Sequence, residues 1–208
     1  MLDIIKTLLK TLFKTNHHVV YVKPKVTVTA EDLSLIMKCN TQTALKYSDS
    51  IYNAMCNFEI YSFERVCAFL AQIGHESGGL KYTKEIWGPT LSQQMYEGRS
   101  DLGNTEKGDG KRFMGRGVIQ ITGRANYTQV AEGLGIDCVN NPSLLELPEN
   151  AVASAAWWWK SKGLNELADN GEFKKITRRI NGGYNGLKDR MERFEKAKDV
   201  LKRFKEIS

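Results

Sequence analysis

The stretch AFLAQIGHESGGL, residues 68–80, decides how the rest of the chain is read. Counted from Val66, the residues Phe69, Leu70 and Ile73 fall at i+3, i+4 and i+7, the period of a helix with one buried face. Ser62 can cap the start of that helix, and Gly78-Gly79 stops it, because glycine accepts the backbone of a helix end. Glu76 stands three residues past Ile73 and seven past Phe69, at the edge of the apolar stripe and one turn from the helix end. A carboxyl there is poorly solvated, which is the environment a general acid needs. His75 lies off the stripe and is read as a structural or supporting residue.

Working outward, Thr29 can cap a helix with Glu31 and Asp32 in its first turn and Leu33, Ile36 and Met37 on its apolar face. Asn40 or Thr41 starts a second helix through Leu45. Downstream, Gly115-Arg116-Gly117 precedes Val118–Thr122, whose alternation predicts an extended segment. Gln120 and Thr122 would share its polar face, and Ile119 and Ile121 the other. Asn126 and Tyr127 follow on a helical turn. Pro148 suits the first turn of a helix that runs through Trp157–Trp159 and stops at Gly163. Successive side chains on a helix point about 100° apart, so the three tryptophans cannot share one surface and are read as structural. A helix with Ile176 and Ile180 ends at Asn181-Gly182-Gly183, and a final basic helix is expected to bury Met191, Phe194, Leu201 and Phe204.

The chain has 208 residues, enough for one sizeable core. Its 41% apolar and 26% charged content is that of a folded domain. A net charge of +6 favours an anionic partner; nucleic acid, anionic lipid and an anionic wall would all qualify. No run reaches the roughly 18 apolar residues of a membrane span. Residues 1–14 place Leu2, Ile4, Ile5, Leu8, Leu9, Leu12 and Phe13 at helical spacing, with Lys6, Lys10 and Lys14 interleaved. Those lysines interrupt a signal-peptide core, so no cleavable export signal is read. Such a segment can lie on an anionic bilayer or pack its stripe on the domain or on a partner, and packing is the preferred reading. Residues 1–28 are accordingly read as an N-terminal segment and connector, broken at Pro24, and 29–208 as one domain. Cys39, Cys56, Cys67 and Cys138 have no CxxC spacing and are read as free thiols.

Several chemistries are excluded by single residues. A zinc HExxH would need histidine at 79, where Gly79 stands, and a phosphate-binding P-loop fails at Thr105 and Arg112. Glu76 and Glu85 remain. Nine residues and a Gly-Gly turn keep them off one helix face but allow them to face each other across a cleft, as the carboxyl pair of a glycosidase does. The competing reading makes Glu85 an exposed charge beside Lys84.

The runs AFLAQIGHESGGL (68–80), FMGRGVIQITGRANY (113–127), WWW (157–159) and INGGYNG (180–186) resemble glycoside hydrolase family 19 in the family's order. That family comprises plant-type chitinases and phage or prophage endolysins. The resemblance covers residues 40–200, and EIWGPT (85–90) with YEGRSDLGNT (96–105) are similar to its bacterial and phage branch. It implies a mainly α, lysozyme-like bilobal fold with a cleft between lobes. It implies Glu76 as general acid, Glu85 as general base and Thr122 as the hydroxyl that steadies the attacking water. Gln120 and Asn126 match family positions that contact the sugar, and Tyr127 adjoins them. Asn181 matches the asparagine of the INGG turn, and Arg190 matches an arginine near the cleft; all five are expected to bind substrate. A family lysine four residues before the first tryptophan is Ala153 here. The implied reaction is inverting hydrolysis of β-1,4 bonds, with no metal and no cofactor. Peptidoglycan is the favoured substrate and chitin the second. A wall-targeting toxin or effector and an inactive glycan-binding module are the remaining readings. We expect a monomer made in the cytoplasm and acting on the periplasmic wall, with no nucleic-acid partner. Contact between residues 1–14 and an anionic membrane is a further expectation.

Overall fold

The chain's first described helix, α1 (Ala30–Met37), begins where its capping residues dictate. Thr29 Oγ1 accepts the Asp32 N–H, and Asp32 Oδ2 accepts the Thr29 N–H, so two orphan donors of the helix start are satisfied reciprocally. The computed structural model describes residues 26–207; the expectations for residues 1–14 lie outside them. Val26 and Val28, assigned above to the connector, are buried in the main core. The packed domain therefore begins no later than Val26.

Asn40 rather than Thr41 caps α2 (Thr41–Asn57), which runs well past Leu45. Ser62 caps α3 (Phe63–Glu76) by accepting the Arg65 N–H. There follow α4 (Leu91–Gln94), α5 (Asp109–Arg112), α6 (Arg124–Leu134), α7 (Pro148–Ser161), α8 (Leu164–Asp169), α9 (Phe173–Asn181) and α10 (Leu187–Val200). Among the described residues, 3₁₀ turns lie at Ser100–Leu102, Pro142–Glu146 and Lys202–Ile207. The described residues hold isolated β-bridges but no named strand.

Two apolar cores divide this mainly α fold into two lobes. The larger is built around α3, with α1, α8 and α10 against it and α2 against α7; Leu33, Ile36, Ile51, Phe69, Trp159 and Ile176 sit in it. The smaller holds Phe113, Ile121, Tyr127, Val130, Cys138 and Leu145. Ile119 and Trp158 pack against both and so mark the seam. The three tryptophans divide as helix geometry requires. Trp159 is core, its Nε1 donating to Asn165 Oδ1 at 2.8 Å and its ring standing edge-on to Phe69. Trp157 packs on the small core, so closely that a Cβ on Gly133 would fall 2.1 Å from its Nε1.

Two expectations are corrected. Val118–Thr122 is not an extended segment. Arg116 and Ile121 exchange both backbone hydrogen bonds (3.0 and 2.7 Å), closing a tight turn over 117–120 with positive φ at Gly117 and Gln120. Side chains around such a turn do not alternate. Of the expected stripe, Phe194, Leu201 and Phe204 pack on the core, but Met191 is exposed, and the buried positions of α10 are Arg190, Arg193 and Ala197. Partners for the two guanidiniums, described below, select that face. All four cysteines are free. Burial pushes the Cys138 thiol up to about 11 and that of Cys67 higher still, which makes both poor nucleophiles.

The small lobe is tied together by Asp109, which is almost fully buried and takes two hydrogen bonds from Arg124 (2.9 and 2.6 Å) and one from the Glu106 N–H. The Arg124 hydrogen bonds hold its carboxyl below the usual range, against the opposing effect of burial. A carboxyl depressed in the folded state adds stability above its unfolded value, about 3.9, and loses it as pH falls through the lower folded value. Asp109→Asn should therefore cost about 2 kcal/mol at neutral pH. In denaturant titrations the gap to the parent should close below about pH 4. A gap unchanged down to pH 2 would contradict this assignment.

Candidate active site

Glu76 is the last residue of α3, and the chain turns sharply beyond it. Ser77, fully buried, donates its hydroxyl to Ile73 O and accepts the Leu80 N–H. Gly79 follows at φ +76, and a Cβ there would sit 2.3 Å from Met37 O. No other residue fits that position, which fixes where the helix stops.

The Glu76 carboxylate is held from α10. Arg190 Nη2 donates to Glu76 Oε1 at 2.5 Å, Nη1 to Gln72 Oε1, and Nε to Asn185 O at 3.3 Å. Gln72, fully buried one turn earlier on α3, passes the arrangement on through Nε2 to Thr177 Oγ1 of α9. The apolar-edge expectation for Glu76 was therefore incomplete, because its near neighbour is a guanidinium. Beside it, His75 Nδ1 lies 2.7 Å from Asp189 Oδ2, which also accepts from Arg193 Nε. Burial alone would raise the Asp189 carboxyl, but hydrogen bonds from Arg193 and His75 outweigh it and the net shift is downward. The His75 ring lies so close under Gly186 that a Cβ there would be 2.2 Å from it. His75 thus packs beneath the 182–186 turn, as a supporting residue should.

The second group of site residues gathers at Gly115. An extended stretch, Thr83–Glu85, pairs with Gly115–Gly117: Glu85 N–H donates to Gly115 O at 2.8 Å and Gly117 N–H to Thr83 O at 2.9 Å. Glu85 is half-buried. Its Oε2 accepts the Gly115 N–H at 3.0 Å, and its Oε1 accepts from Gln93 Nε2 at 2.9 Å and more weakly from Tyr96 at 3.4 Å. A Cβ on Gly115 would stand 2.8 Å from Gln120 Oε1 and 3.3 Å from Thr122 Oγ1. One glycine therefore touches three of the expected site residues. Glu97, another carboxylate of this loop region, is spent on the Gly108 and Gly110 N–H groups and serves as a loop clamp.

Gln120, Thr122 and Asn126 line a pocket of about 240 Å³ whose opposite wall is Trp158 and Ile180 of the large lobe. Thr122 Oγ1 donates to Gln120 O at 2.9 Å, and Asn126 Nδ2 donates to Thr122 O at 2.7 Å. Asn181 is the exposed end of α9, next to Ile180. A larger concavity of about 650 Å³ runs along the outer face of α10 beside Met191. It holds none of these residues and is an open trough on one helix, so the smaller seam pocket is the relevant one.

Two expected substrate contacts are corrected. Tyr127 is fully buried in the small core, its hydroxyl donating to Met114 O at 2.7 Å and accepting from Arg116. Burial pushes this phenol up to about 12, and a sugar cannot reach it. Arg190 is only 1% exposed, so it acts on Glu76 rather than on a ligand. Gln72, Gln93, Gly115 and Trp158 were not singled out for the site. Gln72 had a signal, a lone amide in a stripe otherwise apolar, and so did Gln93, the fourth residue of a Thr-x-x-Gln capping box.

Gly115 generates a direct test, since its φ suits any residue while its Cα faces two site side chains. Gly115→Ala should leave the melting temperature within a few degrees of the parent. It should also lower turnover on the order of tenfold or more, by displacing Gln120 and Thr122 by a fraction of an ångström. Full turnover in a folded Gly115→Ala protein would separate this junction from the chemistry.

Comparison with known proteins agrees with this architecture. The family model described as class I chitinase, glycoside hydrolase family 19, matches residues 57–171, just over half the chain. A glycosyl hydrolase family 19 domain-containing protein of Haemophilus influenzae is 35% identical over 149 residues, covering 59% of this chain and 72% of that protein. An endochitinase of Arabidopsis thaliana is 33% identical over 118 residues, covering 57% of this chain. The chain spans only 39% of that plant protein's length. Among solved structures, chitinase C from Streptomyces griseus superposes with a TM-score of 0.68 at 23% identity, over 85% of this chain and 77% of that one. A class IV chitinase from Zea mays gives 0.57 at 22% identity, over 74% and 78%. The fold is thus the lysozyme-like one of these chitinases, and the chain belongs to glycoside hydrolase family 19 as a chitinase-like glycoside hydrolase.

Proposed function

We propose that the protein cleaves β-1,4 bonds of peptidoglycan glycan strands by an inverting acid–base mechanism, and so acts on the periplasmic wall. The observation that carries the mechanism is the arrangement of the two carboxylates. Glu76 is held through one oxygen by a buried arginine, and Glu85 is held by donors beside the hydroxyl of Thr122.

The chemistry follows atom by atom. Arg190 occupies Glu76 Oε1 and has no proton to give up. Oε2 is left to carry the acid proton, which passes to the glycosidic oxygen as its bond to the anomeric carbon breaks. Every partner of Glu85 is a donor, which suits a carboxylate that accepts a proton from water. The Thr122 hydroxyl proton is committed to Gln120 O. Toward a water Thr122 is therefore an acceptor, taking one O–H while Glu85 takes the other. The water's lone pair then faces the anomeric carbon from the side opposite the leaving group, and the configuration inverts. In this reading Gln120 and Asn126, which line the seam pocket, hold the sugar, together with Asn181 next to Ile180.

The +6 net charge supports the peptidoglycan reading, because it suits an anionic wall. So does the likeness of segments 85–90 and 96–105 to the bacterial and phage branch. Chitin is the second reading, supported by the endochitinase and chitinase relatives. Mass spectrometry of products from purified peptidoglycan and from chitin oligomers separates the two. Glycan fragments cut at β-1,4 bonds of peptidoglycan are expected, and cleavage of chitin oligomers alone would overturn the peptidoglycan reading. On whichever polymer is cut, Glu76→Gln should remain folded and lose on the order of 10²- to 10⁴-fold in rate. Near-native hydrolysis by that variant would remove Glu76 from the mechanism.

A further inference from the structure

The loop that carries Glu85 is organised around one side chain the mechanism has not used. Gln93 is buried, with 5% of its surface exposed. Its Nε2 donates to Glu85 Oε1 at 2.9 Å and to Ile86 O at 2.8 Å. Its Oε1 accepts the Gly88 N–H at 3.0 Å and the Thr90 N–H at 2.8 Å. An amide has two N–H donors and two acceptor lone pairs, and here all four are used. The orientation is therefore set by the network. A flipped amide would set N–H against two N–H groups and oxygen against a carbonyl and a carboxylate. Gln93 is in turn anchored by its own N–H, donated to Thr90 Oγ1 at 3.3 Å in the α4 capping box.

We propose that Gln93 is a positioning residue for the reaction: its amide holds the Glu85 carboxylate at the angle at which it receives a proton from water. The proposal rests on the reading of Glu85 as general base. The rotation of a glutamate carboxylate about its last bond is soft, so two fixed points are needed to aim it. The Gly115 N–H supplies one at Oε2, from a different part of the chain. At Oε1 the alternative to Gln93 is the Tyr96 hydroxyl at 3.4 Å, too long to hold an angle. Gln93 is thus what stops the carboxylate turning about its Gly115 contact. Because the same amide pins Ile86, Gly88 and Thr90, the loop and the base move as one body.

Two substitutions separate positioning from simple loop support. Gln93→Glu keeps an acceptor for the Gly88 and Thr90 N–H groups but offers Glu85 no proton. Gln93→Met removes both functions. Each is made alone and combined with Glu85→Ala, with Gln94→Ala as an exposed neighbouring control. kcat and KM are measured on the glycan the parent cleaves, and folding is followed by thermal unfolding. Both Gln93 variants should lower kcat about tenfold or more with KM within about threefold, since a misaimed base affects the transition state rather than binding. In the Glu85→Ala background the same substitutions should cost nothing further, because residues acting through one group are not additive. Unchanged kcat in folded Gln93→Glu would overturn the proposal. So would a Gln93→Glu loss that persists in full without Glu85, which would make Gln93 a loop staple only. Full activity in Glu85→Ala alone would instead remove Glu85 as base, and that outcome is read independently of Gln93.

Discussion

A guanidinium with 1% of its surface exposed is the constraint on which the large lobe turns. A buried cation left without partners costs several kcal/mol, so Arg190 has to find acceptors wherever α10 docks. It finds them in Gln72 and Glu76 on α3 and in the Asn185 carbonyl just before its own helix. That requirement sets which face of α10 meets α3 and why Met191 stays outside. Gln72 carries the tie to Thr177 on α9, while Asp189 gathers Arg193 and His75. The end of α3 that bears Glu76 is therefore fixed by α9, by α10 and by the turn between them. A group held this way has little freedom to relax, which suits the acid role proposed for Glu76.

The small lobe holds its carboxylate by different means. Glu85 is gripped mainly by backbone at Gly115 and by the amide of Gln93, on a segment joined to the Arg116–Ile121 turn. Glycine is needed at 115 because its Cα faces the ends of Gln120 and Thr122. The two carboxylates thus belong to separately cored lobes, and Ile119 and Trp158 pack on both. The pocket that carries Gln120, Thr122 and Asn126 opens at that seam, with Trp158 as its far wall.

Much of this was legible before any coordinates. The Phe63–Glu76 helix and its Ser62 cap follow from local spacing, with Glu76 at its last residue rather than one turn before the end. The Thr29 cap and the Pro148 start do as well. What failed was set by contacts, near or far in the chain, that side-chain spacing does not reveal. The resemblance puts Arg190 near the cleft as a substrate contact, whereas its partners, Gln72 and Glu76, lie 118 and 114 positions earlier and are invisible to local spacing. Val118–Thr122 has the alternation of a strand, yet Arg116 and Ile121 bond to each other and close it into a turn. Tyr127 sits beside Asn126 in sequence but points the other way, because its hydroxyl is claimed by Met114 O and Arg116. The Thr90-Gln93 capping pattern is visible locally, whereas the reach of Gln93 to Glu85 depends on the fold of the whole loop.

The proposed division of labour between a large-lobe acid and a small-lobe base has one direct observable. An inverting enzyme leaves room for a water between its base and the sugar, with the carboxyls roughly 6.5–9.5 Å apart, whereas a retaining one brings them to about 5–5.5 Å and forms a covalent intermediate. Proton NMR of the first-formed product, recorded before the new reducing end mutarotates, reads the outcome directly. Cleavage of a β-1,4 bond should give the α-anomer first. A first-formed β-anomer would contradict the account, because Glu85 could then not be the base that activates a water beside Thr122.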